Sequence, residues 1–356
     1  MKLHLREDAT PHPRRWWHIP LLLLLIIGTI FIAREYNGRN EQTTDAAWKS
    51  TELIKNEGAV FGTFYHLTYR STTDLQASID SVLALVDSSL SPFNKKSIIT
   101  AINENTSMKT DDRFRQVFTL AHHVYESTGG AFDITVAPLV NAWGFGFKEG
   151  RNPNDEQIDS LRQFVGFDKV QLQGDSIVKA DPRLMLDCSA IAKGYGVDAV
   201  ALFLESRNVL DYMVEIGGEI RTHGLNPQGA AWHIGVNKPV DDSLSVNGDI
   251  QQILEVGNIA MATSGNYRNF RTENGEKIAH TIDPRTGRPV QRSILSATVL
   301  APDCATADAY ATAFMVLGLD EAQQILTRHP KLQAYFICAD EKGGTFTWHT
   351  DSIVLP

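Results

Sequence analysis

Apolar residues recur at helical spacing in some windows of the chain and at strand spacing in others. Leu75, Ile79, Val82, Leu83 and Val86 fall on one stripe and predict a helix over 74–87. Phe114, Val117, Phe118, Ala121, Val124 and Tyr125 do the same over 112–127, where Gly129-Gly130 supplies a stop. An Asn/Asp start followed by Ile158, Leu161 and Val165 predicts a helix over 154–165. Further helices are expected near 189–206, 306–317 and 320–328, the last closing before Pro330. Alternation of period two predicts strands at 59–69, 168–173, 176–180, 212–216, 231–237, 250–256, 294–300 and 333–339. These elements mix without a regular strand–helix–strand rhythm. The pattern therefore predicts an α+β fold, one large domain with a mostly antiparallel sheet and packed helices. The glycine-rich dinucleotide and P-loop motifs are both missing, which counts against those folds.

The first 34 residues follow another pattern. Lys2, Arg6, Arg14 and Arg15 precede Trp16-Trp17 and an apolar run, Ile19–Ala33. The 18 residues from Trp16 to Ala33 make about 27 Å of helix, enough to cross a ~30 Å hydrocarbon layer. Residues 1–18 are then a cytoplasmic basic tail and 19–33 a transmembrane anchor or signal segment. An uncleaved anchor is favoured over a cleaved signal peptide, because Phe31 spoils the small-x-small pattern before Ala33. Residues 34–56 are polar and mixed and read as a linker. Residues 57–356 read as one domain, expected on the exported side of the membrane.

Composition narrows the function. A net charge of −9 argues against nucleic acid as a partner. An anionic ligand would have to be held by local groups rather than by a global positive field. The three cysteines, Cys188, Cys304 and Cys338, lack zinc-site spacing and are expected as buried free thiols.

Two segments carry the most chemistry. HTIDPRTG (280–287) is a stiff polar turn in which Pro284 fixes one φ and Gly287 permits a positive one. TADAYAT (306–312) starts a helix that places Asp308 and Thr312 four residues apart on one face. A carboxylate and a hydroxyl so placed are hard oxygen ligands suited to Mg²⁺ beside a phosphate. In DCSAIAKGYGVD (187–198), Asp187 precedes a helix and Lys193 lies in its first turns, where free N–H groups and an ammonium favour phosphate. GGAFDITVAPLVNAWGFG (129–146) brings glycines and then Asp133; VEIGGEIRTHG (214–224) brings a second Gly-Gly after a strand. Taken singly, Asp308 and Thr312 read as a cap and a core-facing hydroxyl, Lys193 as a solvated helix residue, and His280 as a loop histidine.

Taken together and in order, these blocks closely resemble the ApbE family, the FAD:protein FMN transferases. VFGTFYHLTY (60–69), SLSPFNKKSIITAIN (89–103), SGNYRNF (264–270) and ATADAYATAFMVLG complete a match over about the last 300 residues. The resemblance implies Mg²⁺-dependent splitting of FAD, with FMN passed to a Ser or Thr hydroxyl of an exported acceptor protein and AMP released. It assigns FAD contacts to Phe61, Phe93, Ala131, Phe132, Asp133, Asp187, Lys193 and Ile282. It assigns the metal to Asp308, Thr312 and the main-chain carbonyl of Ala190. His280 matches a histidine important for transfer, able to take the acceptor's proton; Asp283 either orients it or partners it from behind. Phe61 stands where the family usually has Met, Phe93 where Tyr or Trp is frequent, and Cys188 and Ser189 replace more frequent glycines. The resemblance also implies acceptors in membrane electron-transfer complexes, of the Rnf and sodium-pumping NADH:quinone reductase kind. The enzyme would then sit on the periplasmic side of a bacterial inner membrane. Two rivals use the same residues: an FAD pyrophosphatase giving FMN and AMP, and a non-catalytic FAD carrier.

Overall fold

The structure, a computed structural model, describes residues 51–148, 150, 152–238, 250–265, 270–273, 276–291, 293–340, 342 and 344–355. The expected basic tail, the anchor at 19–33 and most of the linker lie outside these residues. Among the described residues no helix is long and apolar enough to cross a membrane. The chain divides into two units, 1–52 and 53–356, and the second carries the sheet, the helices and the candidate site.

The chain opens with β1 (Glu52–Val60) and β2 (Thr63–Ser71), then α1 (Gln76–Leu90), α2 (Ile98–Asn103) and α3 (Asp112–Ser127). Short helices α4 (Ala137–Ala142) and α5 (Asp155–Arg162) lead to the hairpin β3 (Val170–Gln173) and β4 (Ser176–Lys179), then to α6 (Ala192–Ser206). Next come β5 (Tyr212–Ile216), β6 (Glu219–His223), β7 (Trp232–Asn237), β8 (Ile250–Val256) and β9 (Ile259–Gly265). Two small hairpins follow, β10 (Phe270–Glu273) with β11 (Glu276–Ala279) and β12 (Ile282–Asp283) with β13 (Arg288–Pro289). The chain ends with β14 (Ile294–Ala301), α7 (Cys304–Leu317), α8 (Leu319–Arg328), β15 (Gln333–Ala339) and β16 (Thr345–His349).

Eight strands form one sheet in the order β1-β2-β5-β6-β9-β14-β15-β16. Every pairing from β2–β5 to β15–β16 is antiparallel. Alternation decides which residues face which layer. Met261, Leu300, Tyr335 and Ile337 meet Trp232, Ile234 and Leu254 of the β7–β8 hairpin on one face. Their chain neighbours Ala262, Val299, Ala334, Phe336 and Cys338 pack toward the helices on the other. With both faces covered, β14 is buried along nearly its whole length, Ser296 and Thr298 included. Helix α7 is buried on almost every side, as expected of a helix apolar all round. Its alanines let neighbours approach closely.

The predicted mixture of helices with an antiparallel sheet is what the chain forms, with two instructive departures. The single strand expected at 59–69 is a hairpin: Phe61 (φ 52) and Gly62 (φ 74) are both left-handed and turn the chain between β1 and β2. The start of the domain moves with it, because β1 takes in residues 52–56, which composition assigned to the linker. Along β1 only Asn56 is buried, so the strand carries almost no apolar alternation. All three cysteines are buried and free.

Candidate functional site

The first turn of α6 meets the start of α7, and glycine makes the contact possible. A Cβ on Gly194 would lie 2.3 Å from the Cys304 carbonyl oxygen and 2.9 Å from the Ala305 Cα. Asp198, one turn further along α6, accepts from the Cys304 and Ala305 N–H groups at 2.9 Å each. Two donors that open α7 are thereby satisfied from its neighbour. Arg221 on β6 donates to the same Asp198 at 2.8 Å and so locks the junction to the sheet.

Asp308 comes from α7 into this junction. Its Oδ2 accepts the Gly194 N–H at 3.1 Å, and its Oδ1 lies 3.8 Å from Lys193 Nζ. Gly194 lies in the first turn of α6, where N–H groups have no partner within the helix; Asp308 supplies one, and Ala190 lies in the turn just before the helix. Lys193 Nζ also pairs with Glu219 Oε1 at 2.7 Å. Burial opposes the charge on Lys193, but the carboxylates of Asp308 and Glu219 outweigh it and hold the ammonium protonated well above its usual range. Burial, with Asp308 adding to it, pushes the Glu219 carboxyl up against the opposing pull of Lys193. Thr312, a turn along α7 from Asp308, has its hydroxyl 3.2 Å from Ser264 Oγ on β9.

A carboxylate, a hydroxyl and a main-chain carbonyl from the turn before α6 are all hard oxygens, so the chemistry of Asp308, Thr312 and Ala190 fits Mg²⁺. No group of three or more His, Cys, Asp or Glu side chains suited to a metal occurs among the described residues. A site here would therefore draw on hydroxyl and main-chain oxygen, as this set does.

The expected FAD residues sit around several elements. Phe61, at the corner of the β1–β2 hairpin, rests its ring on α6: a Cβ on Gly196 would lie 2.7 Å from its Cε2. Phe93, in the α1–α2 loop, is 66% exposed and meets Phe147 edge-on at 6.3 Å. Ala131 and Phe132 are buried in the core, so what they can offer a ligand is backbone. Asp133 caps a short 3-10 turn, accepting from Thr135 N at 2.8 Å and Thr135 Oγ1 at 2.7 Å. Burial pushes its carboxyl up to about 6. Asp187 accepts from Ser189 N at 2.8 Å and Ser189 Oγ at 2.5 Å. Its own N–H donates to Ile134 O at 2.7 Å, tying the 131–135 segment to the approach to α6. The Ile282 side chain packs with Leu139, Ile158 and Val165.

The 280–287 loop is stiff, as its proline and glycine predict. Gly287 adopts φ 74, and a Cβ there would come within 2.6 Å of Ile158 Cγ2. Trp143 Nε1 donates to Gly287 O at 2.8 Å, and Arg162 Nη2 to Arg285 O at 2.6 Å. His280 is half-buried with its ring edge-on to Phe145 at 6.5 Å. Asp283 is buried, and its carboxylate receives Arg285 N at 2.9 Å, Nε at 3.0 Å and Nη2 at 3.0 Å. Through these three donors Asp283 helps to hold the shape of the loop that carries His280.

Glu219 and Asp198 escaped the sequence reading. Both are acids that the turn and helix patterns treat as ordinary surface residues. One signal for Glu219 was at hand: it follows Gly217 (φ 58) and Gly218 (φ 99), a tight turn that delivers the next residue into the sheet interior.

The sequence profile described as the ApbE family matches residues 61–336. The FAD:protein FMN transferase of Vibrio cholerae is 39% identical over 289 residues, covering 78% of this chain and 85% of that protein. The protein of the same name from Haemophilus influenzae is 37% identical over 315 residues, 84% of this chain and 90% of its own. Among solved structures, the flavin transferase ApbE from Vibrio cholerae superposes with a TM-score of 0.76 at 35% identity, covering 85% of this chain and 98% of that one. The apo flavinyl transferase ApbE of Pseudomonas stutzeri gives 0.75 at 29% identity, covering 85% and 95%. The family match over residues 61–336 takes in both site helices and the 280–287 loop, and the chain belongs to the ApbE family.

Proposed function

We propose that the protein is a Mg²⁺-dependent FAD:protein FMN transferase that attaches FMN through a phosphoester to a Thr or Ser of an acceptor protein and releases AMP. The observation that carries this reading is the corner where Asp308 binds both Gly194 N–H and Lys193, with Thr312 one turn along the same helix as Asp308. It offers hard oxygens for a cation and an ammonium for a phosphate within one junction.

Bound there, Mg²⁺ would draw negative charge from the FAD diphosphate and make its phosphorus more electrophilic. The protein's own groups do the rest. Lys193, held protonated by two carboxylates, balances phosphate charge as it builds. Phe61, Phe93, the 131–133 backbone and Ile282 orient the dinucleotide, and Asp133 and Asp187 fix the loops that carry these groups. The acceptor hydroxyl oxygen bonds to the FMN phosphorus while the bond from that phosphorus to the adenylate oxygen breaks, and the electron pair leaves with AMP. His280 takes the hydroxyl proton. Asp283 keeps the loop in shape through Arg285.

The Lys/Arg-flanked apolar segment at 19–33 supports a single-pass anchor, with the enzyme on the periplasmic side of a bacterial inner membrane. Exported subunits of electron-transfer complexes fit this placement as acceptors. The test is to incubate the protein with FAD, Mg²⁺ and an acceptor domain. A mass gain equal to FMN on one Thr or Ser, with matching AMP, is expected. Free FMN and AMP with unmodified acceptor would replace transferase by pyrophosphatase, and intact FAD by a carrier.

A further inference from the structure

Glu219 opens β6 directly after the Gly217-Gly218 turn and is 3% exposed. One of its oxygens, Oε1, pairs with Lys193 Nζ at 2.7 Å. The other, Oε2, is buried and has no hydrogen-bond partner among the described residues. A buried carboxylate oxygen left without a donor is costly, and such an oxygen in a native fold signals a group still to arrive. Its surroundings say which kind. Lys193 stands between Glu219 and Asp308, so the corner holds two carboxylates against one ammonium. An anion would add to that excess; a cation removes it.

We propose that Glu219 is a further cation-site residue, its Oε2 supplying a second carboxylate oxygen, directly or through one water, to the Mg²⁺ seated by Asp308. This rests on the reading of Asp308, Thr312 and the Ala190 carbonyl as that seat. Glu219 then has two tasks. Oε1 holds Lys193 in place, and Oε2 raises the affinity of the site for the cation before FAD binds. Groups that stand behind metal ligands typically change metal affinity by about 10–100-fold when replaced.

The experiment measures Mn²⁺ binding by the full-length protein in detergent, without FAD, from the loss of the free Mn²⁺ EPR signal. Wild type, Asp308→Ala, Glu219→Gln and Glu219→Asp are compared, each with a thermal melt. Glu219→Asp preserves the charge and the fold while drawing the oxygen back by one methylene. The expected result is loss of binding in Asp308→Ala and about tenfold or greater weakening in both Glu219 variants. Wild-type affinity in both Glu219 variants, with binding lost in Asp308→Ala, overturns this proposal and leaves the Asp308 seat standing. Weakening in Glu219→Gln alone makes Glu219 a distant charge and also overturns it. Unchanged binding in Asp308→Ala overturns the seat itself, and this proposal with it.

Discussion

Asp308 Oδ2 accepts the main-chain N–H of Gly194 at 3.1 Å, so a carboxylate from one helix satisfies a first-turn donor of the other. The same residue thus joins two helices and presents a charge to Lys193. Its structural and chemical duties are separable by substitution. Asp308→Asn keeps an acceptor for Gly194 and should leave the melting temperature close to wild type. Asp308→Ala leaves a buried donor unsatisfied and should cost about 1–3 kcal/mol in denaturant unfolding. Both should lower FMN transfer about a thousandfold or more, since each removes the charged ligand. Transfer at the wild-type rate in Asp308→Asn contradicts the assignment.

Gly194 is needed for space. With the Cys304 carbonyl oxygen 2.3 Å from where a Cβ would stand, backbone rather than a flexible side chain has to move. Gly194→Ala should destabilise by about 1–3 kcal/mol despite alanine's better helix propensity. It should also weaken Mn²⁺ binding by parting the two helices. Urea unfolding and Mn²⁺ titration of one preparation check both effects.

Asp133 links stability to pH. Its carboxyl ionises near 3.8 in the unfolded chain and near 6 when folded, because it is buried. Between those values the folded protein holds a proton that the unfolded chain has released, so stability falls as pH rises through that window. At about 1.4 kcal/mol per pH unit, the ionised form costs roughly 2–3 kcal/mol at neutral pH. Asp133→Asn should therefore melt higher than wild type at pH 7–8 and close to it at pH 4. Melting curves across pH 4–8 check this, and a constant difference at every pH contradicts it.

Phe93 has little to do with the core. It is 66% exposed and touches Phe147 only by an edge. Phe93→Ala should change stability by less than about 0.5 kcal/mol. Loss of one stacking platform, worth about 1–3 kcal/mol, should raise KM for FAD by roughly tenfold. An unchanged KM with a lowered melting temperature would make Phe93 a packing residue.

The sequence spoke most clearly where a single local rule governs. Residues 112–127 carry one apolar stripe and a capping Asp111, and the helix spans Asp112–Ser127 as expected. The 280–287 turn is stiff for the reason its proline and glycine give. Where several rules compete, legibility fails. At 59–69 a phenylalanine takes a left-handed turn position that residue preference disfavours, because its ring gains packing on α6. β9 (IAMATSG) went unseen because Ala260 and Ala262 serve a helix layer while Met261 serves the opposite hairpin. Of the candidate site, Lys193 and Asp308 stood out in ordered blocks, and the fold brings the two together. Glu219 was not, because its pairing with Lys193 spans 26 residues of sequence and exists only once β6 joins the sheet.

The central claim is that FAD's diphosphate is bound and cleaved at the junction of α6 and α7. Diffraction at the manganese edge from crystals grown with FAD and Mn²⁺ tests it most directly. The expected result is an anomalous peak bounded by Asp308, Thr312 and the Ala190 carbonyl, with the diphosphate oxygens against it and Lys193 beside them. A diphosphate seated elsewhere, with no anomalous peak at Asp308, would contradict the account.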